Sequence, residues 1–286
     1  MSTTTGQASN QAAWSATAAL PSPVGLGIRR TAIEVKQFFR EREAIVFVFL
    51  FPIILLGIFS AAFGDGDVVE GSGVSVAQYY LPGMIASGIF LSSFQSLAVT
   101  ITMERDDGTL RRLRGTPMPP IAYFIGKIGL VIVTSVLQFG LLLIFAKVVI
   151  GIDLPSDGAR WLRLVWIFAL GAAAGSLLGI AFSVVPRSGR SAAAVVTPVV
   201  LVLQFISGVF FVYYELPSWM QSVASVFPLK WLAQGMRSVF LPAKMESAEV
   251  GGSWQLGTGA LVMGIWLVLG LVLASRYFRW NRRDAG

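Results

Sequence analysis

Six stretches of this chain, 44–63, 79–102, 121–150, 161–185, 192–212 and 256–278, each run for about twenty residues or more and are overwhelmingly apolar. That pattern restricts the available folds more than any other feature. A bilayer-crossing segment must satisfy its own backbone hydrogen bonds, because lipid offers no partners, so each run is expected to be helical. The expected fold is an all-α integral membrane protein with six transmembrane helices. Only 13% of the residues are charged, about half the share in soluble domains. Pro52 falls inside the first run, where neighbouring helices can repair the lost backbone bond.

The flanks divide the remainder. Residues 1–23 are polar, small and uncharged, without the basic start and apolar core of a signal peptide, and read as a disordered tail. Residues 24–43 mix apolar Ile28, Ile33, Phe38 and Phe39 with basic Arg29, Arg30, Lys36, Arg40 and Arg42. They read as an amphipathic helix on the membrane surface; the alternative is a plain basic flank that fixes topology. The transmembrane domain covers 44–280, and 281–286 form a short tail. Between the fifth and sixth runs, residues 215–242 are apolar but cut by Pro217, Pro228 and Pro242. The pieces are too short to span, so they read as a re-entrant hairpin of two helices meeting at Phe227–Pro228, with Trp219 and Trp231 suited to the interface.

Basic residues set the orientation. Arg29 to Arg42, Arg105 to Arg114, Arg187, Arg190 and Arg276 to Arg283 all fall on one side of the six runs. The first loop of the other side holds three acids and no base. Both termini and the segment after the second run are therefore expected in the cytoplasm, and the broken hairpin outside. The same asymmetry accounts for the net charge of +7 without a nucleic-acid partner.

Several chemistries are excluded. The chain has no Cys and no His, so thiol catalysis, Ser-His-Asp triads and the usual zinc or haem ligands are absent. It has no G-x-x-x-x-G-K-[ST] phosphate loop: Gly126-Lys127 is followed by Ile128 and lacks the earlier glycine. No acid sits in the middle of a run, which weighs against a proton- or sodium-coupled carrier. Lys127 and Lys147 lie near the ends of the third run, where each is expected to snorkel toward water. Gly171, Gly175 and Gly179 make a small-residue face on the fourth run, serving either a dimer seam or packing within one protomer. Ser92, Gln95 and Ser96 share one face of the second run, beside Phe94. Together with Gln138, Gln204, Phe205 and Phe210 they outline a candidate substrate route; the amides are equally suited to hydrogen bonds between helices.

One dense charged knot remains, MERDDGTLRRLRGTP at 103–117. Its order, acids then bases, complements the dipole of a short helix beginning near Asp106-Asp107-Gly108 and stopped by Gly115 and Pro117. Leu110 and Leu113 share one face, for which a partner protein's groove is expected.

These residues resemble the membrane subunits of ABC-2 type transporters, especially antibiotic-resistance exporters of the daunorubicin type. Two motifs carry the resemblance. One is E-R-x-x-G-T-L-x-R-L-x-x-T-P, from Glu104 to Pro117. The other is ISGVFF at 206–211, continued by Leu216-Pro217, Trp219-Met220-Gln221, Pro228-Leu229, Trp231 and Arg237. The resemblance implies a non-catalytic permease in the plasma membrane. It would work as two copies with two copies of a soluble P-loop ATPase, which carries the ATP and Mg²⁺. It further implies that the knot is a coupling helix. Asp107, Leu110, Arg111, Leu113 and Arg114 would then meet the ATPase, and Glu104 would join that helix to the second span. The amphipathic helix, with Arg29, Arg30, Phe38 and Arg40, becomes a second contact, and Pro217, Trp219, Pro228 and Trp231 part of an outer gate. Family substrates are amphiphilic: drugs, lipids or glycans. An autonomous carrier and a non-transporting membrane anchor are the rival classes.

Overall fold

The computed structural model describes residues 22–63, 66–69 and 71–278. The tails expected over most of 1–23 and over 281–286 lie outside these residues. Among the described residues there is no β-strand, only an isolated bridge between Asp67 and Ser75. Helix α1, Pro23–Phe38, starts on Ser22, whose hydroxyl accepts from the Gly25 amide at 3.1 Å. The chain then coils from Arg42–Ile45 through a π turn at Val46–Leu50 into Phe51–Phe63. Its apolar part, Val48–Phe63, is α2.

Five helices are long and apolar enough to cross a bilayer: α3 (Val76–Asp106), α5 (Pro120–Ile150), α6 (Gly158–Phe182), α7 (Gly189–Ile206) and α10 (Leu256–Tyr277). The six-residue α4, Thr109–Arg114, lies between α3 and α5. Helices α8 (Ser218–Val226) and α9 (Pro228–Phe240) meet at Phe227, whose extended backbone delivers Pro228 as the first residue of α9. Proline suits that position, because the amide it lacks would have no helical partner there. Helix α5, at 31 residues, is about 46 Å long, well beyond a ~30 Å hydrocarbon core, so it tilts or projects.

Helix α3 is the hub. Leu81, Met84, Ile85, Ile89, Leu97 and Ile101 are all but fully buried against surrounding helices. Helix α10 is the opposite case, with Leu261, Ile265, Val268 and Leu271 exposed, as a lipid-facing helix requires. The glycines of α6 pack within the protomer. A Cβ on Gly179 would lie 2.6 Å from the Phe94 carbonyl oxygen, and one on Gly171 would lie 2.5 Å from Leu232. Helix α7 stops at Ile206, short of the expected 212, because Gly208 turns the chain with φ +75°.

Every residue of α9 is buried, including two cations. Lys230 packs its ammonium over the Trp231 ring at 3.3 Å and faces Tyr213 at 5.2 Å. Trp231 itself is buried, its indole donating to the Ser225 carbonyl at 2.7 Å, so of the two expected interface tryptophans only Trp219 is exposed. Arg237 is fully buried and forms a two-point pair with Glu249, its Nε bonding Oε1 and its Nη2 bonding Oε2 at 3.1 Å. Its guanidinium also lies 5.8 Å from the Tyr79 ring, at the start of α3. Breaking a buried pair strands the surviving charge. Arg237→Ala is therefore expected to cost about 3–5 kcal/mol, read as a lower unfolding temperature in detergent. The double change Arg237→Met with Glu249→Leu should recover most of that loss; a single variant as stable as wild type would refute the structural role.

Candidate coupling site

The knot folds as a helix, by a route partly different from the expected one. Gly108 takes the left-handed conformation, φ +79°, and turns the chain out of α3. The Asp107 carboxylate accepts from the Thr109 amide at 2.8 Å, covering one bare N–H at the start of α4. The other acid, Asp106, turns away and accepts from the Gly189 amide at 3.0 Å. Arg112 donates to Thr109 at 3.0 Å, and the Thr116 hydroxyl donates to the Leu113 carbonyl at 2.6 Å.

The leucines do not await a partner's groove. Leu110 is fully buried in the chain's own core, and Leu113 is half-buried against the same core. The expectation that they lacked a core is corrected. Their cover comes from the rest of the chain, a tertiary arrangement that helical spacing cannot reveal. The face left to solvent is polar: Asp107, Arg111, Arg112 and Arg114 are exposed.

A buried ionic network lies beneath. Lys127 is fully buried, not snorkelling. Its ammonium touches Glu104 at 2.6 Å and Glu34 at 2.8 Å. Arg30 pairs with Glu34 at 2.6 Å and lies 3.7 Å from Glu104. The Tyr123 hydroxyl donates to the other oxygen of Glu104 at 2.6 Å. Three elements are thus joined: α1 through Arg30 and Glu34, α3 through Glu104, and α5 through Tyr123 and Lys127. Small residues let the backbones close on one another. A Cβ on Gly126 would lie 2.4 Å from the Arg30 side chain, and one on Gly27 would lie 2.5 Å from Ile125. On its other side, the end of α3 is tied to the loop between α6 and α7. Thr102 donates to the Ser183 carbonyl at 2.8 Å, and Arg105 donates to the same oxygen.

The structure therefore brings Arg30 and Glu104 together in the ionic network and places Leu110 and Leu113 in the apolar core. Arg29 and Arg40 are exposed on and beyond α1, and Phe38 packs edge-on against Phe39 and Phe49. Glu34, Tyr123 and Lys127 were not singled out from sequence as members. The available signal was the i,i+4 spacing of Arg30–Glu34 and Tyr123–Lys127, with an ammonium inside an apolar run.

The candidate route residues are scattered. Phe94 stacks on Phe90 at 5.0 Å inside the protomer. Gln204 donates to Ser87 at 2.8 Å, and Gln95 donates to Thr197 at 3.2 Å, both between helices. Gln138 is buried against Gly88, with no hydrogen-bond partner for its amide among the described residues. Phe205 is exposed and touches Phe210 at 5.3 Å.

Lys127→Met would leave two carboxylates facing each other without their shared ammonium. A loss of about 3–5 kcal/mol is expected, with faster amide exchange across α1. Glu34→Gln, which keeps the Lys127–Glu104 contact, should cost less. Unchanged exchange in α1 of the Lys127 variant would show that the network does not hold that helix.

Known proteins resemble this chain over most of its length. The Escherichia coli K12 inner membrane transport permease YadH is 22% identical over 213 residues, covering 73% of this chain and 82% of the relative. Its counterparts in Escherichia coli O157:H7 and Shigella flexneri match to the same extent. Residues 30–241, which run from Arg30 of the ionic network through α4 to the end of the α8–α9 hairpin, match the ABC-2 type transporter family. A multi-pass helical chain with this segment order and this match belongs to the ABC-2 type transporter membrane proteins.

Proposed function

We propose that this chain, a transmembrane subunit of an ABC transporter, is the permease of an ATP-driven exporter in the plasma membrane. It moves an amphiphilic or hydrophobic substrate, a drug, antibiotic or lipid, outward. ATP and Mg²⁺ belong to a soluble P-loop ATPase present in two copies, and a second copy of the permease completes the route. Both termini and α4 face the cytoplasm, and α8 and α9 form the outer gate. The family membership and the apolar character of the spans support the reading.

The observation that carries the reading is the two-sidedness of α4. Its Leu110 face is built into the core, and its Asp107, Arg111, Arg112 and Arg114 face is exposed. A short helix rooted in this way cannot shift without pulling on its neighbours. Movement imposed on the arginine face reaches α1 and α5 through Glu104, and α7 through Asp106. The matching ATPase surface is acidic, since three exposed guanidinium groups recognise carboxylates best.

The test follows from this division of labour. Arg111→Glu, Arg112→Glu and Arg114→Glu together should leave the chain folded and inserted, yet cut co-purification of the ATPase at least about tenfold. Leu110→Asp should instead lower the yield of folded chain, because it buries an unpaired carboxylate. Recovery of the ATPase at wild-type level with the triple variant would overturn the assignment. The substrate class is tested by ATP hydrolysis of the complex in lipid discs, with stimulation expected from apolar amphiphiles and not from hydrophilic sugars.

A further inference from the structure

At the end of the molecule opposite α4, the starts of α6 and α10 and the finish of α9 enclose a cavity of about 380 Å³. Its wall contains two arginines, Arg160 and Arg163, and two acids, Asp157 and Glu246. Arg160 donates to the Leu241 carbonyl at 3.1 Å, and Arg163 donates to the Ser238 carbonyl at 3.0 Å. Both anchor through Nη1 to the backbone that ends α9, leaving the Nε and Nη2 edges of each fork without a hydrogen-bond partner among the described residues. The acids are fixed as well. Asp157 accepts from the Ala159 amide at 2.9 Å, and Glu246 accepts from the Trp254 amide at 3.2 Å. Yet no ion pair joins either arginine to either acid among the described residues. Two cations and two anions share one water-sized-to-headgroup-sized space and are held apart by their own backbone contacts.

Two further features favour a ligand there. Gln255, in the same wall, is the one non-glycine residue with positive φ among the described residues, +45°. It begins α10 without any side-chain cap. Backbone held in this region is strained, and such strain concentrates at binding sites. The depth is also suitable. Arg160 and Arg163 occupy the first two turns of a spanning helix, and Trp254 closes the wall, as at a membrane–water interface.

We propose that this cavity binds a zwitterionic phosphate ester, with the phosphate on Arg160 and Arg163 and the ammonium on Asp157 and Glu246. Planar guanidinium forks recognise phosphate oxygens in pairs, and the two acids, useless to a purely anionic ligand, accept the ligand's cation. Interfacial depth makes the occupant a phosphatidylethanolamine headgroup. The site is independent of α4 and of the exporter reading.

The test uses the full chain purified in mild detergent and exchanged into equimolar phosphatidylethanolamine and phosphatidylglycerol, with retained lipid read by native mass spectrometry. Wild type should retain phosphatidylethanolamine preferentially, by about tenfold. Arg160→Gln with Arg163→Gln should lose the retained lipid. Asp157→Asn with Glu246→Gln, which preserves the cap of α6 and the acceptor for Trp254, should keep binding but move the preference to phosphatidylglycerol. Soluble phosphoethanolamine that displaces the lipid at comparable concentration would assign the same site to the free headgroup; failure to displace it assigns the lipid. Equal retention of the two lipids by wild type, or an unchanged preference in the acid variant, would overturn the proposal.

Discussion

An ionised group taken out of water costs several kcal/mol even after the protein relaxes around it, unless counter-charges are placed in contact. Lys127 is in that position, fully buried at the start of a spanning helix, and the architecture of this end of the molecule follows from its needs. Glu104 and Glu34 must reach it from different elements, which fixes where α3 ends and how α1 lies. The Glu34–Lys127 contact requires α1 to rest directly on α5, and the bare backbone of Gly126, under the Arg30 side chain, permits that approach. Removing one member strands the others, so four side chains from three elements hold as a unit.

The same requirement recurs at the far end with different residues. Arg237 of α9 and Glu249, in the segment that follows the hairpin, neutralise one another, and Tyr79 lays its ring against the guanidinium. Helix α3 carries Tyr79 near its start and Glu104 near its finish, about 38 Å apart along a helix of uniform rise. It therefore joins both buried ionic sites through a single, largely buried rod. A helix so placed transmits displacement along its axis, since close-packed neighbours leave little room for it to be absorbed.

Much of this was legible in the sequence, and the exceptions share a cause. Long apolar runs and proline breaks gave the helical class, the α8–α9 junction at Phe227–Pro228 and the short helix at 109–114, because each depends on local rules of length, capping and ring geometry. Contacts between distant elements were not legible. Leu110 reads identically whether its cover comes from its own chain or from a partner. Lys127 reads as a snorkelling lysine unless Glu34, 93 residues away, is known to meet it. Phase was also lost at the π turn of α3, Leu91–Gln95, where one residue more per turn breaks the 3.6-residue count. Ser92 is buried while Gln95 and Ser96 are half-exposed, so the face drawn through all three does not continue across the turn.

The ionic network has a consequence in terms of voltage. Moving one elementary charge through the full membrane potential involves about 2.3 kcal/mol per 100 mV. Arg30 and Lys127 carry two positive charges, and Glu34 and Glu104 carry two negative ones, all within contact distance. The cluster sums to zero. When these four groups shift together along the membrane normal, the field does almost no net work on the cluster. A resting cell and a depolarised one therefore present this cluster with the same energy landscape.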